Sequence, residues 1–189
     1  MQWQSTPKMF IVYCTLAGLI SSAGISCLLV IVDVASKSPE GTFYAVIGIS
    51  LGIDDPTTAQ YIGFGLHILT GTAAGNIFGQ FVLFWRKLVP SNTERGMLLG
   101  MVVGVSLWLM LFLPLATFGI QTMLDSFVVS APNPYVNTIA LRFQGLYPLL
   151  IGGSLLFHLV YGCILGGIAG RMAELRLFTN AFVEAQITK

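Results

Sequence analysis

The chain has 189 residues, of which 55% are hydrophobic and only 9% charged, with a mean hydropathy of +0.82. A soluble domain carries about 25% charged residues, so this composition excludes a soluble globular enzyme and describes an integral membrane protein. The formal net charge of +1 gives no basis for nucleic-acid binding.

The N-terminal segment MQWQSTPKMF does not read as a good signal peptide. The apolar run behind it is too long, and no small-residue cleavage site closes it. It leads into a retained first span, about residues 9–34, long enough to cross a hydrocarbon core of about 30 Å. Gly18, Ser22 and Ser26 form a small-xxx-small stripe on it, the spacing that lets helix backbones approach closely in lipid. Asp33 closes the span and reads as an interfacial residue. In the connection that follows, SKSPEG is a turn by its Pro and Gly content. The apolar stretch 42–52 is too short to span, which predicts an interfacial or re-entrant helix. Asp54–Asp55–Pro56 is a helix start, with Asp55 as cap and Pro56 at the first helical position.

The second span covers about 56–85 and ends in Trp85–Arg86–Lys87, an aromatic and basic interfacial anchor. Ser91 and Glu94 have capping-box spacing for the next helix. The third span covers about 93–118, with a stripe of Gly96, Gly100 and Gly104 and with Pro114 predicted to kink its far end. In the second long connection, residues 120–142, SAPNPYVN reads as loop and its flanks as short helices at the membrane surface. The fourth span covers about 146–172. Residues 173–189 form an amphipathic cytoplasmic tail, apolar at Leu175, Phe178, Phe182 and Val183.

Spans two and four share a pattern. His67, Gly71, Gly75 and Gly79 recur at four-residue spacing, and so do His158, Gly162, Gly166 and Gly170, ninety-one residues later. A four-residue step turns a helix by about 400°, so each set is one slowly drifting stripe. The fold class expected is therefore all-α: a polytopic bundle of four transmembrane helices, arranged as a tandem repeat of two-helix units, with short interfacial helices in the outer connections. A repeat of two helices keeps its orientation, so its pseudo-two-fold axis would run along the membrane normal. It would also place His67 and His158 at matching depth, about 18 Å from the outer end of each helix. Gly18, Ser22, Gly71, Gly75, Gly79, Gly96, Gly100, Gly104, Gly162, Gly166 and Gly170 are the helix-packing candidates.

Basic residues set the orientation. With four spans, Lys8, Arg86, Lys87, Arg95, Arg171, Arg176 and Lys189 share one side, and Lys37 and Arg142 the other. Seven against two puts both termini in the cytoplasm of a multi-pass plasma-membrane protein.

No catalytic constellation is present: no HExxH, no GxSxG and no Walker A sequence. Cys14, Cys27 and Cys163 form no CxxC pair and read as buried free thiols. His67 and His158 are the only candidates for site chemistry, because polar groups at mid-membrane are costly. Three readings stand: hydrogen-bond glue to a neighbouring helix, a metal or haem held by the pair, or a path for protons or a small solute. A metal normally needs a third ligand, which the sequence does not offer, so glue is favoured. On that reading both imidazoles stay neutral and keep one donor and one acceptor satisfied. No cofactor is predicted, lipid is an expected partner, and haem or metal at His67/His158 stays as the alternative.

The paired helices GLHILTGTAAGNIFG and LFHLVYGCILGGIAG resemble a family of small four-helix membrane proteins found mainly in archaea, with no assigned function. The likeness covers the spans, and the segments around TFYAVIGISLGIDDPTTAQ and SAPNPYVN depart from its minimal pattern. Proteins of this style also resemble accessory subunits such as those accompanying archaeal ammonia monooxygenase, whose copper ligands lie in other subunits. The absent catalytic constellations, together with two long apolar outer connections and an amphipathic tail that offer partner surfaces, lead to the expectation of a non-catalytic subunit that scaffolds other membrane subunits, not an enzyme in itself. The alternative is a channel or permease component for a small neutral solute, with His67 and His158 lining the path.

Overall fold

A computed structural model describes residues 7–130 and 132–174. Every element among them is helical. Helix α1 spans Pro7–Ala35, α2 Thr42–Ser50 and α3 Pro56–Phe84, followed by a 3-10 turn at Arg86–Leu88. Helix α4 spans Thr93–Leu107, α5 Gln121–Ser130 and α6 Pro134–Glu174. Between α4 and α5 the backbone stays helical through two π stretches, Trp108–Phe112 and Leu115–Ile120, so Thr93–Ser130 is one continuous helix of 38 residues.

Among the described residues, three helices are long and apolar enough to cross a membrane: Lys8–Ala35, Thr93–Ser130 and Pro134–Glu174. Helix α3 equals α1 in length, 29 residues each, but is less apolar, since Gln60, His67, Asn76, Gln80 and several threonines interrupt it.

Several helices run past the limits of the expected spans. The helix that carries the third span continues beyond 118. Pro114 lacks an amide hydrogen and would clash with the carbonyl four residues back. Here it stands between the two π stretches, and the wider turn is closed by bonds five residues long: Leu113 N–H to Trp108 O, and Gln121 N–H to Ala116 O. The helix thus passes the proline instead of stopping at it. The helix that carries the fourth span likewise begins before 146. Pro134 occupies the first helical position, and Asn133 Oδ1 accepts the Val136 amide at 3.0 Å. The flanks assigned to separate surface helices, 120–130 and 134–142, are therefore extensions of the two long helices. The Ser91/Glu94 capping box is replaced by Asn92, whose side chain accepts the Arg95 amide at 2.8 Å. At α3 the expected start holds: Asp55 Oδ2 accepts the Thr58 amide at 2.8 Å. The Thr58 hydroxyl and amide together keep the Asp55 carboxyl below its usual range, so this cap persists through neutral pH and is lost only in acid. Of the expected tail, Ala173 and Glu174 belong to α6, and the rest lies outside the described residues.

The chain divides into two compact units. Among the described residues, unit 1 takes in residues 7–24, Leu69–Val105 and residues 158–174. Its interior is Phe10, Cys14 and Ala17 of α1, Ala74, Phe78 and Val82 of α3, and Tyr161, Leu165 and Ala169 of α6. Unit 2 takes in Ile25–Ile68 and Ser106–Phe157. Its core is built around α2. Ala45, Val46 and Ile49 pack with Ala59, Ile120, Leu124 and the α6 residues Val136, Ile139, Ala140 and Phe143. The stretch 42–52, expected at the membrane surface or re-entrant, contributes the centre of this core.

Candidate functional site

Two seams of backbone contact hold unit 1. In the first, α1 meets α3. A Cβ on Gly18 would stand 2.6 Å from the Gly71 carbonyl oxygen and 2.9 Å from Gly75 Cα. One on Gly75 would stand 2.8 Å from Gly18 Cα, and one on Gly79 would stand 2.9 Å from Cys14 Cβ. Ser22 faces Gly71 and turns its hydroxyl back onto the Gly18 carbonyl at 2.8 Å, so its polar group is satisfied within its own helix. In the second seam, α4 meets α6. A Cβ on Gly96 would stand 2.8 Å from Gly170 Cα, and one on Gly100 2.8 Å from Gly166 Cα. A Cβ on Gly162 would overlap the Gly100 carbonyl oxygen, and one on Gly104 the carbonyl oxygen of His158. Real Cβ atoms do not come this close to backbone. Every packing candidate thus faces the backbone or Cβ of an adjoining helix. Tyr161 adds a bond of 2.5 Å from its hydroxyl to the Gly71 carbonyl.

The two histidines fall in different units, His67 in unit 2 and His158 in unit 1. The His67 ring lies 5.7 Å from the Tyr44 ring, tilted by 56°. Tyr44 also meets Phe64 edge-on at 5.3 Å and directs its hydroxyl to the Ser26 carbonyl at 3.4 Å. Burial raises the Tyr44 phenol above its ordinary value, so it stays a neutral donor. His158 contributes its backbone carbonyl to the Gly104 crossing. Near His158, Ser154 accepts the Trp108 indole N–H at 2.9 Å, and the Tyr161 hydroxyl donates to the Gly71 carbonyl. Among the described residues no three His, Cys, Asp or Glu side chains converge as metal ligands. Cys14 is buried, but Cys27 is exposed and Cys163 half-buried, which corrects the expectation of three buried thiols.

Unit 2 holds the residue that sequence reasoning misplaced. Asp33, expected at the interface, is fully buried. Its Oδ2 accepts the Gly41 amide at 2.8 Å. Gly41 precedes α2 with φ of +77°, a left-handed backbone that glycine adopts without strain. The carboxylate therefore caps a helix formed from a different part of the chain, with its negative charge at the positive end of the dipole. Arg142 of α6 donates to the carbonyls of Ser36 and Lys37, just past the end of α1, and so presents positive charge to the same region. The tight side of α2 faces α3. A Cβ on Gly48 would stand 2.5 Å from Ala59 Cα, and one on Gly63 2.7 Å from the Tyr44 carbonyl carbon. Hydropathy treats Asp33 and Arg142 only as flanking charges. Nothing local marks either as a partner of α2.

No family model, curated protein or solved structure matches the chain.

Two predictions follow from this geometry. Gly100→Ala should destabilise the protein by about 1–3 kcal/mol, the usual cost of overpacking, because the new methyl meets backbone that cannot rotate away. Gly65→Ala should be neutral or stabilising by up to about 1 kcal/mol, because a Cβ there meets nothing within 4 Å and alanine favours helix. Thermal melts in mild detergent compare the two, and equal effects would refute the seam. For α2, Asp33→Asn retains an acceptor for the Gly41 amide and should leave α2 amides protected. Asp33→Leu should cost about 0.5–2 kcal/mol, as cap losses do, and speed hydrogen exchange across residues 42–50.

Proposed function

We propose that this chain is a non-catalytic integral membrane subunit that scaffolds a larger membrane protein complex. The observation that carries the reading is the helix Thr93–Ser130. Its most apolar window has a mean hydropathy of 2.3, yet only 11% of it is buried within the chain, against 33% for α1. Met110 is 81% exposed and Phe118 79%. Leu109, Leu111 and Leu115 extend the same uncovered surface. Its polar backbone is satisfied internally, so the helix belongs in lipid or against other apolar helices. An apolar surface of this extent suits a subunit whose role is contact.

On this reading α3 is a fourth span despite its lower hydropathy, because helices packed in a bundle tolerate polar residues that face protein. The bundle is a tandem repeat of two-helix units. Its support is that each unit pairs a small-residue helix with the His-Gly helix that follows it: Gly18 with Gly71 and Gly75, then Gly96 and Gly100 with Gly162, Gly166 and Gly170. His67 and His158 serve packing and hydrogen bonding. Both termini and the 86–95 loop lie in the cytoplasm, and the assembly is in the plasma membrane. A membrane monooxygenase such as archaeal ammonia monooxygenase is the assembly that the sequence resemblance suggests.

Solubilisation of native membranes in mild detergent should yield the chain in stoichiometric complex with at least one other membrane protein. Phe118→Ala should weaken that association without lowering thermal stability. A lone homo-oligomer that conducts a small solute in liposomes would replace the subunit reading with the channel. Topology is checked separately: Asn133→Cys should label from outside intact cells and Ser91→Cys only after permeabilisation.

A further inference from the structure

The cytoplasmic end of α3 carries a feature that the packing seams do not use. Ile77, Gln80, Phe81, Phe84 and Trp85 line an open surface groove of about 310 Å³. Phe81 meets Trp85 edge-on with centroids 4.2 Å apart, and Phe84 meets it at 5.4 Å. Ile77 is 63% exposed and Phe84 79%. One polar side chain enters this apolar wall. Gln80 donates to Asn76 Oδ1 at 2.5 Å, Asn76 donates to Thr15 Oγ1 at 2.9 Å, and Thr15 donates to the Ile11 carbonyl at 2.8 Å. This relay across α3 and α1 holds the carboxamide of Gln80, which lines the groove, in place. Beyond Trp85 the chain turns at Arg86–Leu88. The exposed Lys87 stands there, its carbonyl anchored by the Arg95 guanidinium at 2.9 Å.

Along about 11 Å of helix axis, from Ile77 to Phe84, the surface is aliphatic and aromatic with one carboxamide, and the chain just beyond it adds the Trp85 indole and, past the groove, the exposed Lys87. That is the order in which a membrane phospholipid presents its chain, its glycerol linkage and its phosphate. The charge is complementary too. No Asp or Glu occurs between Asp55 and Glu94, so nothing in this segment repels an anionic headgroup. Tryptophan and lysine side by side also belong at the membrane–water boundary.

The geometry points to a binding site for an anionic membrane phospholipid at the cytoplasmic end of α3, with its chain along Ile77, Phe81 and Phe84, its glycerol region at Gln80 and Trp85, and its phosphate at Lys87. The assignment rests on α3 crossing the bilayer, as proposed above. It fixes one occupant of that face: a lipid, not a partner helix.

The test leaves Trp85 as the sole tryptophan, through Trp3→Phe and Trp108→Phe, and reconstitutes the full chain in mixed vesicles. Brominated phosphatidylglycerol should quench Trp85 more strongly than brominated phosphatidylcholine at equal mole fraction. The preference should be about fivefold, the enrichment one basic residue gives near a charged surface, and Lys87→Glu should abolish it. Native mass spectrometry of the chain with its tryptophans intact provides a second reading. Phosphatidylglycerol should remain bound preferentially, and Gln80→Leu should reduce that retention. Equal quenching by the two lipids, or a preference unchanged by Lys87→Glu, overturns the site. Absent quenching overturns it as well. Ser91→Cys labelling then separates the causes: cytoplasmic Ser91 leaves α3 a span whose face is covered by protein, whereas external Ser91 removes the span itself.

Discussion

Everything in unit 1 depends on helices approaching until backbone touches backbone. In water, helices associate because burial removes apolar surface from solvent. In lipid that drive is missing, since hydrocarbon chains are as apolar as leucine. What remains is dispersion, which falls off steeply with distance, and polar contact. Glycine at Gly18, Gly75, Gly100 and Gly166 lets main chains close to a separation that a single methyl would forbid. The serines in α1 are compatible with this because their hydroxyls fold back onto carbonyls one turn earlier, Ser21 onto Ala17 and Ser22 onto Gly18.

Unit 2 solves its packing differently. A nine-residue helix, too short to cross a membrane, is embedded among longer ones. Its free N-terminal amides need acceptors, and no water can be assumed in such a core. Asp33 supplies one from α1. The cost of placing a carboxylate there is offset only in part, by the amides that open α2 and by Arg142 nearby. The same economy recurs at Trp108, whose indole N–H is taken by Ser154, and at Pro114, where two π stretches keep the carbonyls bonded.

The long exposed helix and the aromatic groove on α3 are complementary parts of one functional picture. Surface that the chain does not cover by itself must be covered by its surroundings. Along the middle of Thr93–Ser130, from Leu98 to Phe118, that surface is largely apolar, which suits protein or acyl chains. At the end of α3 it is graded from apolar to cationic, which suits a headgroup-bearing lipid.

The sequence by itself determined the membrane class, the helical content and the positions where backbones meet, because hydropathy and four-residue spacing are one-dimensional records of solvent and helix geometry. It also marked the start of α3, through Asp55–Pro56. The equivalent Asn133–Pro134 start of α6 carried the same local chemistry and was passed over as loop, because prolines and a serine clustered around it. Pro114 likewise suggested an ending that the backbone avoided by widening its turns. Only the tertiary structure decided that residues 42–50 form a core and that Asp33 is buried. Both depend on which distant segments surround a residue. The partner of Asp33 is an amide eight residues on, across a turn, and the cover of α2 comes from residues 120–143; no periodicity within α1 or α2 encodes either contact.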